Sequence, residues 1–380
     1  MKGLPPALLE EWMRDFYFET DIDIGSSGVE DYSFRELRSL LGLTHDDLDE
    51  VVFHDSRTLG GPELRQAIAD RWADGSFGRV AVTHGATEAN FLVMHALLEP
   101  GDEVVVLDPL YQQLYSIAES LGCRLKRLPL RFENGWVPDF QEAASIIGPR
   151  TRMIVVNFPH NPTGASLTPE QQMELIRLAE RAGAYLVWDR AFADLTYDDE
   201  PLPDPGRFYE RAVSMGTLSK AFGLPGLRLG WCIAAEEVLA RFLRLRDYLT
   251  LHLSPLVELI AQRAIENGDL LLAPRRKQAS VNRQIVERWI EGSGGQVEWV
   301  RPSGGVSAFP RLNGVPDVVD FCRCFAETER VLLVPGHCFG CPQHVRLGFG
   351  GGTADLQEGL LRLGRALGGH WVPREATAHG

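Results

Sequence analysis

Lys220 and Arg228 lie in the run Thr217-Leu218-Ser219-Lys220-Ala221-Phe222-Gly223-Leu224-Pro225-Gly226-Leu227-Arg228, an apolar stretch punctuated by glycines. An amine among apolar neighbours loses part of the solvation that favours its protonated form, so its pKa falls and it becomes a nucleophile toward an aldehyde. Arg228 adds a permanent cation whose planar fork suits a phosphate. Together they call for a ligand that carries both an aldehyde and a phosphate. A Ser-Lys dipeptide by itself is most often a surface loop, because lysines are rarely buried. Four further segments change that reading.

Gly85-Ala86-Thr87 follows the strand-like Arg79–Thr83 and opens a helical pattern that runs to Leu98 before Glu99-Pro100-Gly101 stops it. Such a helix start offers the N–H groups of Ala86 and Thr87, with the Thr87 hydroxyl, to a dianion. Tyr111 follows the apolar strand Glu103–Leu107 and can stack on a flat heterocycle, although a tyrosine there is more often a core or rim residue. Asn161 ends the segment Met153–Asn161 just before Pro162, where helical geometry is disfavoured and its amide can point out of a strand end. Asp189 closes the apolar strand Ala184–Trp188, and an acid there needs a cationic partner. A protonated pyridine nitrogen would be that cation, attracted by about 4 kcal/mol at about 4 Å and an effective dielectric of about 20. Aldehyde, phosphate and protonated ring describe pyridoxal 5′-phosphate (PLP).

In chain order these residues resemble the fold-type I PLP enzymes of the aspartate aminotransferase superfamily over nearly the whole chain. The resemblance implies an α/β fold: a large domain around a mixed, mostly parallel seven-stranded sheet, and a smaller α+β C-terminal domain. It implies that Lys220 carries the covalent link to the cofactor, that Asp189 pairs with the ring nitrogen, and that Asn161 contacts the 3′-oxygen. Tyr111 would stack on the ring, while Ala86, Thr87, Thr217 and Arg228 would hold the phosphate. Arg346, in the strand His344–Leu347, matches the family arginine that clamps the α-carboxylate of an amino-acid substrate. A homodimer is implied as well.

Several positions depart from the common aminotransferase pattern. Phe192 stands where many relatives have a tyrosine that donates to the 3′-oxygen, so the imine at Lys220 is expected to keep its proton to higher pH. Phe53-His54-Asp55 occupies the place of the tyrosine that usually reaches the partner subunit's phosphate. The segment Asp23–Tyr32, with Leu251-His252-Leu253-Ser254-Pro255-Leu256, is similar to the capreomycidine synthases and related streptothricin-pathway arginine cyclases. That resemblance implies a hydroxylated L-arginine substrate, with one hydroxyl or two, closed into a six-membered cyclic guanidine for antibiotic biosynthesis. It places Ser27 and Gly28 at the substrate. Glu30 and Asp31 either pair with the guanidinium or form a solvated turn. The alternatives are an ordinary aminotransferase that needs a 2-oxo acid acceptor, and a PLP-binding module without turnover.

The elements that must position these groups follow from the patterning. Short apolar strands at 103–107, 153–157, 184–188, 212–216 and 230–234 alternate with helical segments such as 168–182, as in a buried parallel sheet that binds ligands at its C-terminal strand ends. A helical stretch from about 236 to 267, broken at Ser254-Pro255, leads into a second region with its own strands. We expect an N-terminal arm over 1–45, a large domain over 46–267 and a small domain over 268–380, with a mobile tail after Trp371. A chain of 380 residues with net charge −14 disfavours nucleic acid and anionic membranes as partners. No signal peptide or membrane span is evident, so a cytoplasmic enzyme with a small-molecule substrate is expected. The six cysteines are expected to be reduced; a four-thiolate zinc site from Cys322, Cys324, Cys338 and Cys341 is the lesser reading, and no metal is expected.

Overall fold

The computed structural model describes residues 3–368; the tail after Trp371 lies outside the described residues. A short strand β1 (Ile22–Asp23) precedes the main sheet. The sheet consists of β2 (Val80–Thr83), β3 (Glu103–Asp108), β4 (Arg124–Pro129), β5 (Thr151–Asn157), β6 (Tyr185–Asp189), β7 (Ala212–Thr217) and β8 (Gly230–Ile233). Across it the seven strands run β2-β8-β7-β6-β5-β3-β4. Val104, Val105, Val106 and Leu107 are all buried, as is the whole of β7, which is why these strands read as continuous apolar runs.

The strands from β4 to β7 are parallel, whereas β8 is antiparallel to both β7 and β2. The sheet is therefore mixed and mostly parallel, and the strand read as continuing the parallel series is the reversed one. The cause is its connection. Residues 218–229 contain only the short 3-10 turn Pro225–Leu227, whereas a parallel return requires a long crossover. Thr217 pairs with Gly230, so Lys220 sits in a hairpin-like loop at the edge of the sheet's ligand-binding end. The pattern also fails to mark β4. It is an edge strand with Arg124 and Arg127 exposed, a charged edge of the kind that discourages further pairing.

Local chemistry sets the helix boundaries. Thr168 and Gln171 form a capping box ahead of helix Pro169–Ala182, and Gly183 ends it in the left-handed conformation. The helical stretch expected over 236–267 is two helices, Glu236–Arg246 and Pro255–Glu266, separated by the whole of 247–254. Helix Gly268–Glu291 follows, and then β9 (Val297–Glu298), β10 (Ser307–Ala308), β11 (Arg311–Leu312), β12 (Val331–Leu332), β13 (Val334–Pro335) and β14 (Val345–Gly348). Strands β10, β14 and β13 form an antiparallel sheet. The N-terminal segment packs here: β1 pairs in parallel with β12, and Trp12 Nε1 donates to the Leu333 carbonyl at 2.9 Å. Among the described residues no helix is long and apolar enough to cross a membrane, and no cluster of His, Cys, Asp or Glu is arranged to hold a metal. The cysteines are unpaired.

Candidate active site

The C-terminal ends of β5, β6 and β7 open into a cavity of about 310 Å³. Ala86, Thr87, Tyr111, Asn161, Asp189, Thr217, Lys220, Arg228, Ser27 and Arg346 all line it. Gly28 does not; its backbone packs between Ser219 and Gly350.

Lys220 Nζ donates to Ser27 Oγ at 3.2 Å. Burial pulls the amine down to a pKa of about 8, helped by the positive charge of Arg346 and opposed by the charges of Glu10 and Asp189. Asp189 is 8 % exposed, and burial pushes its carboxyl up to about 6 against the Ala191 N–H, which donates to Oδ1 at 2.8 Å, and against the Lys220 charge. Among the described residues no side chain forms an ion pair with it. Asn157, at the end of β5, ties the neighbouring loops together: its Nδ2 donates to the Asp189 carbonyl at 3.1 Å and its Oδ1 accepts from the Asn161 N–H at 2.8 Å.

At the opposite side of the cavity, Gly85 has φ +75° and begins the helix Gly85–Leu97. A Cβ on Gly85 would lie 2.9 Å from Arg228 Nη2, so the guanidinium rests directly on the helix start. Arg228, itself left-handed at φ +52°, is fixed by donation from Nη1 to the Pro225 carbonyl at 2.9 Å. The Thr217 hydroxyl donates to the Leu229 carbonyl at 3.0 Å and accepts from the Ser219 N–H at 3.1 Å. Ser219 lines the cavity beside Arg228. Its only mark in the sequence is a hydroxyl next to the lysine.

Arg346 is buried, donates from Nε to the Gly25 carbonyl at 2.9 Å, and reaches Asn161 Oδ1 from Nη1 at 3.3 Å. The Tyr111 hydroxyl donates to Glu10 Oε1 at 2.6 Å; burial and the Glu10 charge push its pKa well up. Glu10, Leu9 and Met13 line the cavity from the helix Leu8–Phe16, and nothing in the sequence pattern pointed to them. Phe192 lines it too. Glu30 does not: its Oε2 accepts from Arg275 Nη1 at 3.0 Å and Gln278 Nε2 at 2.8 Å. Asp31 is exposed, although partial desolvation raises its pKa, and it is likewise outside the lining. Phe53 and His54 are exposed, and Asp55 pairs with His252 at 3.0 Å.

These groups fit PLP. A buried carboxylate with one oxygen lacking a donor among the described residues suits a protonated ring nitrogen, a neutralisable amine suits the aldehyde, and a helix start overlaid by a guanidinium suits the phosphate.

The profile of the family "Aminotransferase class I and II" matches residues 53–363. The chain is 44% identical to the capreomycidine synthase of Streptomyces vinaceus over 373 residues, 97% of this chain and 95% of that protein. It is 29% identical over 358 residues to an aspartate aminotransferase of Pyrococcus horikoshii, covering 91% of each. Among solved structures, the PLP-dependent cyclase OrfR superposes with a TM-score of 0.92 at 44% identity, covering 96% of this chain and 97% of that one.

Proposed function

We propose, from the premise that this chain belongs to the class I and II aminotransferase family of fold-type I PLP enzymes, that it is a cyclase acting on a hydroxylated L-arginine. The substrate is 3-hydroxyarginine or its 3,4-dihydroxy form, and the product is a six-membered cyclic guanidino amino acid of the capreomycidine type. The likeness to capreomycidine synthase along almost the entire chain carries this reading.

The residue roles are part of the same proposal. PLP, when bound, supplies a sink for the negative charge that develops at the substrate α-carbon. Asp189 holds the ring nitrogen protonated, and Arg228, Ser219, Thr217 and the N–H groups of Ala86 and Thr87 take the phosphate. Arg346 takes the substrate α-carboxylate, supported by its burial and its anchor on Gly25. Lys220, with a pKa of about 8, removes the α-proton near neutrality and later returns it, and Ser27 orients the amine. The β-hydroxyl leaves as water. A guanidine nitrogen of the same molecule then bonds to the β-carbon and sheds one proton. The net change is loss of one water, with no second substrate consumed. Leu9, Met13 and Phe192 keep bulk water from competing with the internal nucleophile.

The enzyme works in the cytoplasm as a homodimer. Val52 and Phe53 on one side of the Asp55–His252 pair, and Tyr248, Leu249 and Leu251 on the other, are exposed large apolar side chains, and such segments suit a second copy. Incubating the PLP-loaded protein with 3-hydroxyarginine, with and without 2-oxoglutarate, tests the activity. We expect a cyclic product lighter by one water in both cases. Glutamate formed only with 2-oxoglutarate would instead establish the aminotransferase.

A further inference from the structure

We infer that Glu10 is the residue that recognises the substrate's guanidinium, an assignment that rests on the arginine-type substrate proposed above. The charged side chains lining the cavity are Glu10, Asp189, Lys220, Arg228 and Arg346. The phosphate, the α-carboxylate, the ring nitrogen and the reacting carbon account for all of these except Glu10. Glu10 stands at the exposed rim of the cavity, where an incoming guanidinium loses part of its water, and a carboxylate there favours a cation over a neutral group.

The geometry suits that task. Among the described residues Glu10 has no salt bridge, and its one hydrogen bond to a side chain comes from the Tyr111 hydroxyl to Oε1 at 2.6 Å. That bond fixes the carboxylate and leaves Oε2 available, the arrangement needed for a forked contact with a planar cation. The helix that carries Glu10 is itself held at two places. Its Leu8 N–H donates to Gln112 Oε1 at 3.0 Å while Gln112 Nε2 donates to the Pro6 carbonyl at 2.8 Å, and Trp12 Nε1 donates to the Leu333 carbonyl at 2.9 Å. Leu9 and Met13, one turn of the same helix, supply apolar wall for the aliphatic stem of the substrate. The acids of the Glu30-Asp31 turn are excluded as partners, Glu30 because Arg275 and Gln278 already occupy its carboxylate, and Asp31 because it lies off the cavity wall.

The test is a binding comparison on the PLP-loaded protein between L-arginine and L-citrulline. Citrulline replaces the cationic guanidinium with a neutral urea of the same length, and neither compound carries the β-hydroxyl needed for water loss. Dissociation constants are read from the change in the cofactor's visible absorbance. The parent protein should prefer arginine, and Glu10→Gln, which retains an acceptor for Tyr111, should reduce that preference by about tenfold or more through arginine alone. Glu10→Asp, which keeps the charge, should restore much of it. Equal weakening of both ligands in Glu10→Gln, or an unchanged preference, overturns the assignment while leaving the arginine reading intact. A parent protein that does not distinguish the two ligands overturns both.

Discussion

Replacing Asp189 by Asn should move stability in opposite directions in the cofactor-free and cofactor-loaded protein. In the free protein the carboxyl is 8 % exposed and accepts one backbone N–H, with burial raising its pKa from 3.8 to about 6. Between those values the folded state binds more protons than the unfolded state. Stability therefore falls as pH rises through the interval, and the full penalty is present above about pH 6. The size of the rise corresponds to about 3 kcal/mol. Asn removes the ionisable group while keeping an acceptor for the Ala191 N–H. The cofactor-free variant should melt a few degrees above its parent at about pH 7.5, at about 1.3 °C per kcal/mol for a chain of this length, with the gain shrinking toward about pH 4. With PLP bound the order should reverse, because a protonated ring nitrogen loses a partner with a gross attraction of about 4 kcal/mol. Thermal melts of both forms across this pH range provide the assay. A cofactor-free variant no more stable than the parent at neutral pH, or a gain that does not vary with pH, would refute the reasoning.

Two further substitutions probe the cavity and the helix start packed behind it. Phe192→Tyr should restore a donor to the cofactor's 3′-oxygen, worth about 1.5–3 kcal/mol, so the visible-absorbance titration of the holoenzyme should shift about one to two pH units lower; an unchanged or higher midpoint contradicts this. Gly230→Ala would put a Cβ 2.5 Å from the Gly85 carbonyl carbon, 2.6 Å from Ala86 N and 2.7 Å from the Gly216 carbonyl oxygen, all of them backbone. The helix start must then shift, lowering stability by about 1–3 kcal/mol and speeding cofactor loss, measured by thermal melting and by cofactor release on dilution. A variant that matches its parent in both would show that the close approach is tolerated.

The chemistry of the cavity was legible where a group stands at a strand end followed by its own turn. Asp189 after an apolar strand and Gly85-Ala86-Thr87 after another are local patterns, and β5, β6 and β7 deliver their ends to one place. Arg346 was identified by resemblance alone, since a strand arginine has no local mark of function. Glu10 was invisible for a related reason. The amphipathic pattern of Leu8–Phe16 says that one face is buried, but not that the turn bearing Glu10 overlies Tyr111.

Local sequence alone determined the apolar strands, the capped helices and the lysine-bearing turn, because these depend on interactions within a few residues. Tertiary structure decided the reversal of β8, the charged edge position of β4, the pairing of Glu30 with Arg275, and the approach of the N-terminal helix to the cavity. Each of these depends on partners distant in the chain, and side-chain type does not specify which distant partner a strand edge or a carboxylate will meet.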